Sequence, residues 1–201
     1  MEPPSPDSLK FDDRGLVPCV IQDWRSGEVL TLAYMNQEAL RLSRETGELH
    51  LFSRSRNELW HKGATSGNTQ AVKALRVDCD NDAVLALVEP KGPACHTGER
   101  TCFFTGDMDA QPYEALPGLE RTIADRVANP TGYTGQLLQD PPLIGAKVQE
   151  EAEEVARAAR EETDERVANE AADVLYHLTV LLASRGLSLQ DAEEVLLGRR
   201  R

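Results

Sequence analysis

The residues best suited to chemistry in this sequence are three cysteines within a short span of its first half: Cys79, Cys95 and Cys102. Thiolates are soft ligands that favour zinc, and three protein ligands leave the fourth tetrahedral position open for water. Three ligands therefore favour a catalytic site. A closed site completed by His96 and simple burial of the cysteines remain as alternatives, because the spacing contains no CxxC pair.

Three aspartates alternate with other residues around the first of these cysteines, at Asp78, Asp80 and Asp82. In an extended segment this alternation would place the three carboxylates on one face and Cys79 on the other. Carboxylate oxygens suit a hard cation such as magnesium. An ordinary acidic loop is the alternative, and an EF-hand is excluded because its glycine and final glutamate are missing.

A polar segment with two glycines, residues 60–68, precedes the aspartates and has the sequence WHKGATSGN. Its backbone N–H groups and hydroxyls are of the kind that bind a phosphate, and a lysine supplies positive charge. The candidate substrate-binding residues are Lys62, Thr65, Ser66, Gly67 and Asn68. Polar loops are commoner than phosphate sites, so this segment is weak evidence by itself.

Carboxylates at helical spacing mark the second half of the chain. Glu150 and Glu154 are one helical turn apart with Glu151 next to both, and Glu170 and Asp173 repeat the arrangement farther along. Two helices packed with these faces together would surround magnesium with carboxylates. Solvated acidic helix faces are the alternative. Glu170 and Asp173 argue against a solvated acidic face, because they interrupt an apolar helix in which unpaired carboxylates are costly to bury.

The elements that must position these residues differ between the two halves. From residue 16 to about 105 the sequence contains strand signals separated by Gly, Asn and Ser, with one helix over 37–46. Asn36 is a suitable N-cap for that helix, and Gly47 is a suitable left-handed C-cap. The predicted strands cover residues 17–24, 29–35, 48–54, 57–63, 71–77 and 83–88.

Beyond a predicted linker at 109–118, which contains Pro112 and Pro117, the apolar residues follow a helical period. The predicted helices cover residues 119–128, 145–162, 166–184 and 188–197. Helices of this number and length are too few to enclose a roomy active site, so we expect helices to be shared between subunits. The predicted fold class is α+β, with a β-rich N-terminal zinc domain joined to an all-α C-terminal domain.

Composition limits the other classes of function. The 201 residues carry a formal net charge of −12, which argues against non-specific binding to nucleic acid. The acidic, proline-rich N-terminus does not resemble a signal peptide, and no apolar run is long enough to span a membrane. We therefore expect a cytoplasmic protein, in which four cysteines indicate a metal or a reactive thiol rather than disulfides.

Taken together and in order, the features of the first half resemble phosphoribosyl-AMP cyclohydrolase of histidine biosynthesis. The matching stretches are residues 22–23, 33–36, 53–56, 60–63, 65–68, 78–82, 92–98 and 102–103. By this resemblance Cys79, Cys95 and Cys102 bind zinc, and Asp78, Asp80 and Asp82 bind magnesium. The resemblance also implies a homodimer that shares its zinc across subunits. Cys19 has no place in the pattern and is expected to be a packing residue.

The chemistry implied by this resemblance suits a zinc site. Zinc-activated water would attack C6 of the adenine in phosphoribosyl-AMP, and the N1–C6 bond would break to open the ring. Zinc nucleobase deaminases also attack this carbon, but their signature with a catalytic glutamate is absent here. His96, next to a cysteine, is the candidate for moving the proton, or it only orients the site.

The second half resembles the all-α nucleotide pyrophosphohydrolases and, among them, phosphoribosyl-ATP pyrophosphohydrolase. The matching stretches are residues 133–134, 137–138, 147–151 and 169–178, with Gly132 where a serine is expected. The resemblance implies that Glu150, Glu151, Glu154, Glu170 and Asp173 hold magnesium, which bridges the triphosphate and activates water at the α–β bond. Lys147 would contact phosphate oxygens.

The two resemblances fit consecutive hydrolytic steps on the substrates phosphoribosyl-ATP and phosphoribosyl-AMP. The predicted boundaries are 1–108 for the cyclohydrolase domain, 109–118 for the linker and 119–201 for the pyrophosphohydrolase domain. A nucleotide house-cleaning pyrophosphatase with a merely structural zinc domain is one alternative. A catalytically dead zinc-binding scaffold is the other, and the complete cysteine and carboxylate sets argue against it.

Overall fold

The computed structural model describes residues 9–106 and 111–199. The chain divides into two compact units, Met1–Asp109 and Ala110–Arg201. The acidic N-terminal residues 1–8 and the first two residues of the predicted linker lie outside the described part. In the part that is described, no helix combines the length and the apolar character needed to cross a bilayer.

The N-terminal unit is built from six strands and one helix. These are β1 (Val17–Asp23), β2 (Val29–Met35), α1 (Gln37–Thr46), β3 (His50–Ser53), β4 (Glu58–His61), β5 (Gln70–Val77) and β6 (Val84–Pro90). Four strands form a sheet in the order β2-β1-β6-β5, and β3 pairs with β4 in a separate hairpin. The strands β1 and β6 run parallel, and the other pairs are antiparallel. Each predicted strand is present.

The strand alternation and the helix caps predicted for this unit are present in the structure. Side chains of β1 alternate between buried and half-buried, because successive residues of a strand face opposite sides of the sheet. The Asn36 side chain accepts a 2.8 Å hydrogen bond from the Ala39 N–H and caps α1. Gly47 ends the helix with φ 70°. Cys19 is fully buried in the core, and this burial raises its pKa to about 12, so it is a packing residue as expected.

The C-terminal unit is all-helical, which confirms the predicted fold class. Its helices are α2 (Ala115–Ala128), α3 (Gly132–Leu138), α4 (Pro141–Glu161), α5 (Asp164–Ser184) and α6 (Leu189–Arg199). The short helix α3 is not among the predicted helices. The core of the C-terminal unit is the cluster of Ile123, Leu137, Ile144 and Val180. Leu137 of α3 packs into that cluster, and this packing explains why the seven-residue segment is helical.

Part of the segment predicted as the linker is helical from Pro112 onward. Pro112–Glu114 forms a 3₁₀ turn that continues directly into α2. Pro117 lies in the first turn of α2, where the backbone N–H groups have no partner within the helix and proline is tolerated. The two prolines therefore mark the start of a helix and not a break between helices.

Candidate metal centres

Two of the three predicted zinc ligands lie together in the N-terminal unit. Cys95 and Cys102 lie on one loop, and the Thr97 hydroxyl donates to Cys95 Sγ at 3.1 Å. The hydrogen bond from Thr97 is the main cause that lowers the pKa of Cys95, and Cys102 adds to it. This environment favours a thiolate, the form that binds a metal. His96 Nδ1 lies 3.9 Å from Cys95 Sγ.

The third predicted ligand, Cys79, lies elsewhere in the chain. It is exposed in the turn between β5 and β6. Among the described residues, groups of at least three potential ligand atoms within 4.8 Å of one another occur at two places, and Cys79 belongs to neither. One chain therefore brings two of the three cysteines together.

An ion-pair clamp fixes the loop that carries the two adjacent thiols. Arg100 donates from Nε to Glu28 Oε2 at 2.7 Å and from Nη2 to Asp23 Oδ2 at 2.6 Å. Both carboxylates are buried. Two residues later, the backbone N–H of Cys102 donates to the Leu30 carbonyl at 2.7 Å. Arg100 thus ties the loop to the hairpin of β1 and β2, and it is a functional residue that sequence reasoning missed.

The predicted phosphate-binding lysine faces the thiols. Lys62 is buried, and its Nζ donates to the Ala94 carbonyl at 2.7 Å. Burial lowers the pKa of Lys62, while the charges of Cys102 and Cys95 act in the opposite direction. A cation in this position stabilises thiolates.

The rest of the polar loop forms a compact turn. Thr65, Ser66 and Gly67 are exposed, and the Asn68 N–H donates to Ser66 Oγ at 3.3 Å. Gly63 has φ 86°, and a Cβ there would lie 2.2 Å from the Asn68 carbonyl oxygen. Only glycine fits that position, so the turn depends on it.

The three predicted magnesium aspartates meet in a turn. The extended conformation considered for residues 78–82 is wrong, because the segment turns between β5 and β6 with Asn81 at φ 64°. Asp78 Oδ1 accepts the N–H groups of Asp82 at 2.9 Å and Ala83 at 3.0 Å. The carboxylates of Asp78, Asp80 and Asp82 consequently approach within 4.8 Å, all of them exposed. The hydrogen bond with Asp78 and the charge of Asp80 raise the pKa of Asp82.

A second carboxylate cluster lies between α4 and α5. It consists of Glu151, Glu154 and Glu170, whose oxygens lie within 4.8 Å of one another. Glu170 is buried, and its Oε1 has no well-formed hydrogen bond although the Arg166 guanidinium contacts it. Burial raises the pKa of Glu170; Arg166 opposes this shift, and Glu154 adds to it. Crowded, half-buried carboxylates of this kind fit a divalent cation.

The other predicted carboxylates of this site are not members of the cluster. Glu150 is exposed and forms a 2.6 Å ion pair with Lys147, and its hydrogen bond raises the pKa of the lysine. Asp173 has an exposed side chain, and its carbonyl lies 3.0 Å from Nδ1 of His177. Neither carboxylate belongs to the group of Glu151, Glu154 and Glu170.

His177 is a buried residue of this site that the prediction omitted. Its Nδ1 lies 3.7 Å from Glu151 Oε1, and its Nε2 lies 3.4 Å from the Tyr133 hydroxyl. The helical spacing of the sequence could have identified His177, because a separation of seven residues places it on the same face of α5 as Glu170. Beside it, the hydroxyls of Thr134 and Tyr176 share a 2.7 Å hydrogen bond.

Comparison with known proteins assigns a family to each half of the chain. A family model described as phosphoribosyl-AMP cyclohydrolase matches residues 31–104, and one described as phosphoribosyl-ATP pyrophosphohydrolase matches residues 116–200. The chain is 51% identical over 199 residues to a histidine biosynthesis bifunctional protein of Bacillus subtilis (strain 168), covering 96% of this chain and 95% of that protein.

Two further relatives carry the same description. The protein of Halalkalibacterium halodurans is 49% identical over 204 residues, with 97% of each chain covered. The protein of Parasynechococcus marenigrum (strain WH8102) is 42% identical over 217 residues, with 100% of this chain and 97% of that protein covered. Each alignment therefore spans both units.

Proposed function

Since the chain belongs to the family of histidine biosynthesis bifunctional proteins, we propose that its two units hold zinc and magnesium for two successive hydrolyses. The protein is a phosphoribosyl-AMP cyclohydrolase and a phosphoribosyl-ATP pyrophosphohydrolase. The proposal is supported by where the candidate metal ligands lie in the chain. A thiol pair lies within the region matched to the first activity, and a buried carboxylate cluster lies within the region matched to the second.

In the N-terminal unit, Cys95 and Cys102 would hold zinc together with Cys79. The hydrogen bond from Thr97 and the nearby Lys62 ammonium support this assignment, because both favour thiolates. Zinc bound there would supply Lewis-acid activation of water for attack on C6 of the adenine ring.

Two further assignments concern the surroundings of the zinc site. His96, exposed and beside Cys95, is placed to move the proton during ring opening. The turn of Asp78, Asp80 and Asp82 would hold magnesium next to Cys79, and its exposed carboxylates are free to face a phosphate-bearing substrate through that ion.

In the C-terminal unit, Glu151, Glu154 and Glu170 form the core of the magnesium site, with Glu150 and Asp173 at its edge. Magnesium held by these carboxylates would supply charge neutralisation for the triphosphate of phosphoribosyl-ATP and activation of water for its hydrolysis at the α–β bond. Lys147 would exchange its ion pair with Glu150 for a phosphate oxygen.

We also infer a homodimer that shares its zinc sites. The exposure of Cys79 supports this inference, because within the described residues it does not complete a three-ligand group with Cys95 and Cys102, and an exposed thiol is open to a second chain. The helical unit leaves consecutive apolar side chains exposed on α6, with Val195, Leu196 and Leu197 each more than half exposed. Such a surface is typical of a subunit interface. Four unpaired cysteines fit the expected cytoplasmic location.

The decisive experiment follows pyrophosphate release and ring opening in parallel on full-length protein given phosphoribosyl-ATP, zinc and magnesium. We expect pyrophosphate first and ring opening second, with ring opening dependent on zinc. Adenosine triphosphate is the control, since it lacks the phosphoribosyl group on N1. Hydrolysis of ordinary nucleoside triphosphates without ring opening would support the house-cleaning alternative and contradict the proposal.

A further inference from the structure

An arginine-lined groove lies on the surface of the N-terminal unit. It is open, has a volume of about 510 Å³, and is lined by residues of β2, of the hairpin of β3 and β4, and by Arg14. Its charged lining residues are Arg14, Arg54 and Arg56, and no acidic residue lines it among those that the structure describes. In a chain with a formal net charge of −12, a groove with charge of one sign is set up for an anion.

The guanidinium groups of Arg14 and Arg54 form no ion pair with a described carboxylate, whereas that of Arg56 does. Arg56 pairs with Glu58 at 3.0 Å, and both side chains are largely exposed. Within residues 9–106 and 111–199, no carboxylate forms an ion pair with Arg14 or Arg54. Their positive charge therefore remains available to a ligand.

Arg54 is held in place by an aromatic ring. Its guanidinium carbon lies 3.8 Å from the centroid of the Tyr34 ring, so the two planes are in contact. Stacking leaves the N–H groups at the edge of a guanidinium free, and that fork matches two oxygens of a phosphate. The Ser53 and Ser55 hydroxyls on the same wall, 3.5 Å apart, add neutral donors.

Residues that line the groove are neighbours of residues that contact the loop of Cys95 and Cys102. Trp60 lines the groove, and its ring centroid lies 5.4 Å from Lys62 Nζ. That ammonium bonds the Ala94 carbonyl, and Ala94 precedes Cys95. On the other wall, Leu32 lies two residues along β2 from Leu30, the residue that anchors Cys102, a separation of about 7 Å.

We propose that this groove binds one of the two phosphomonoesters of phosphoribosyl-AMP, with Arg54 as its principal ligand and Arg14 beside it. The proposal rests on the proposed function, because it names a subsite for the ring-opening substrate. Arg54 contacts the phosphate and not the purine, so it stabilises the ground state and the transition state equally. Its loss raises KM and leaves kcat nearly unchanged.

The test compares ring-opening kinetics of Arg54→Met, Arg54→Lys and the wild type. A charged hydrogen bond lost to phosphate predicts a KM raised about 10- to 100-fold in Arg54→Met, with a smaller rise in Arg54→Lys. Arg76→Met is the matched control, because Arg76 is an exposed arginine of β5 outside the groove. Unchanged circular dichroism and bound zinc exclude misfolding as the cause.

Inhibitors show which phosphate is bound. AMP and ribose 5-phosphate each carry one of the two monoesters, and adenosine and ribose are the controls without phosphate. The inhibitor whose inhibition constant rises in Arg54→Met, while its unphosphorylated control is unaffected, identifies the bound group. Unchanged KM and unchanged inhibition by both compounds would overturn the proposal. So would a lower kcat at constant KM, which indicates a role in the chemistry.

Failure of the proposed function is a separate result. In that case the wild type opens no ring, whereas the groove is still testable by direct binding of ribose 5-phosphate and AMP. Binding weakened in Arg54→Met and unchanged in Arg76→Met would retain the phosphate subsite. Equal binding by wild type and Arg54→Met would remove it.

Discussion

The two units build their candidate metal centres from different local structure. In the C-terminal unit, Glu151, Glu154 and Glu170 come from two packed helices, and their oxygens meet within one chain. In the N-terminal unit, Cys95 and Cys102 share one loop, while Cys79 lies in the turn between β5 and β6 and joins no group of three potential ligands among the described residues. Helical periodicity places the ligands of each helix on one face, so that a single helix–helix contact gathers them, whereas the loop site depends, by our proposal, on a second subunit.

The sharpest test of this contrast removes one ligand from each centre. Cys95→Ser is expected to lower ring opening by at least about 100-fold and to spare pyrophosphate release, because each activity has its own metal. Glu170→Gln is expected to do the reverse. Both rates are measured on the same protein preparation.

Glu153→Gln is the matched control for the helical centre, because Glu153 is exposed on α4 and outside the cluster. We expect it to retain both activities. Loss of both activities in a folded Cys95→Ser or Glu170→Gln protein would contradict two independent centres.

The next largest effect concerns the origin of the zinc ligands. If Cys79 joins Cys95 and Cys102 of another chain, a heterodimer of Cys79→Ser and Cys102→Ser subunits contains one intact site. Each mutant alone is expected to be inactive. An equal mixture, unfolded and refolded with zinc, is expected to regain about a quarter of wild-type ring opening, since half the dimers carry one live site.

Wild type treated in the same way is the control for refolding. If it recovers and the mixture does not, all ligands come from one chain, and the contrast with the helical centre is weaker than proposed.

A smaller effect is expected from the clamp that holds the thiol loop. Arg100→Met removes the cation that forms ion pairs with the buried Asp23 and Glu28 carboxylates. Because Arg100 is 31% exposed, we expect a loss of about 2 kcal/mol in the free energy of unfolding, below the full cost of a broken buried pair. Zinc loss to a chelator should accelerate about 10-fold, with pyrophosphate release unchanged.

Arg41→Met is the control for the clamp, since Arg41 also pairs with two acids, Glu38 and Glu45, but on the exposed face of α1. We expect the Arg41→Met protein to release zinc to the chelator at the same rate as the wild-type protein. Equal zinc release by Arg100→Met and wild type would show that the clamp does not position the thiols.

The smallest effect is expected at Arg166, the cationic group that contacts Glu170 and lies 3.9 Å from Glu154. Without metal, this guanidinium offsets repulsion among the clustered carboxylates. Arg166→Gln is therefore expected to lower the Tm by roughly 3–6 °C in chelator and by less in saturating magnesium, which supplies the same charge. Differential scanning calorimetry measures both.

Arg157→Gln is the control, because Arg157 pairs with Glu154 and Glu162 but does not form an ion pair with the buried Glu170. An equal Tm loss for Arg166→Gln with and without magnesium would mean that the two cations do not act on the same carboxylates.

The sequence predicted helices and strands best where a pattern among neighbouring residues is sufficient to define them. The strands, the helix α1 with its caps at Asn36 and Gly47, and the long helices follow from periodicity and capping, which are interactions between near neighbours. The helix α3 and the helical start at Pro112 were missed because packing of Leu137 and the placement of prolines in a first turn are not visible in periodicity.

For the candidate sites, the sequence by itself determined which residue types are present and, on helices, which of them share a face. The resemblance to the two enzyme families, confirmed by the comparisons, rests on that information. Only the tertiary structure placed Lys62 beside the thiols and joined Arg100 to Asp23 and Glu28, residues more than 70 positions apart. It also left Glu150 and Asp173 outside the carboxylate cluster. Contacts between residues far apart in sequence are decided by packing, which no local spacing encodes.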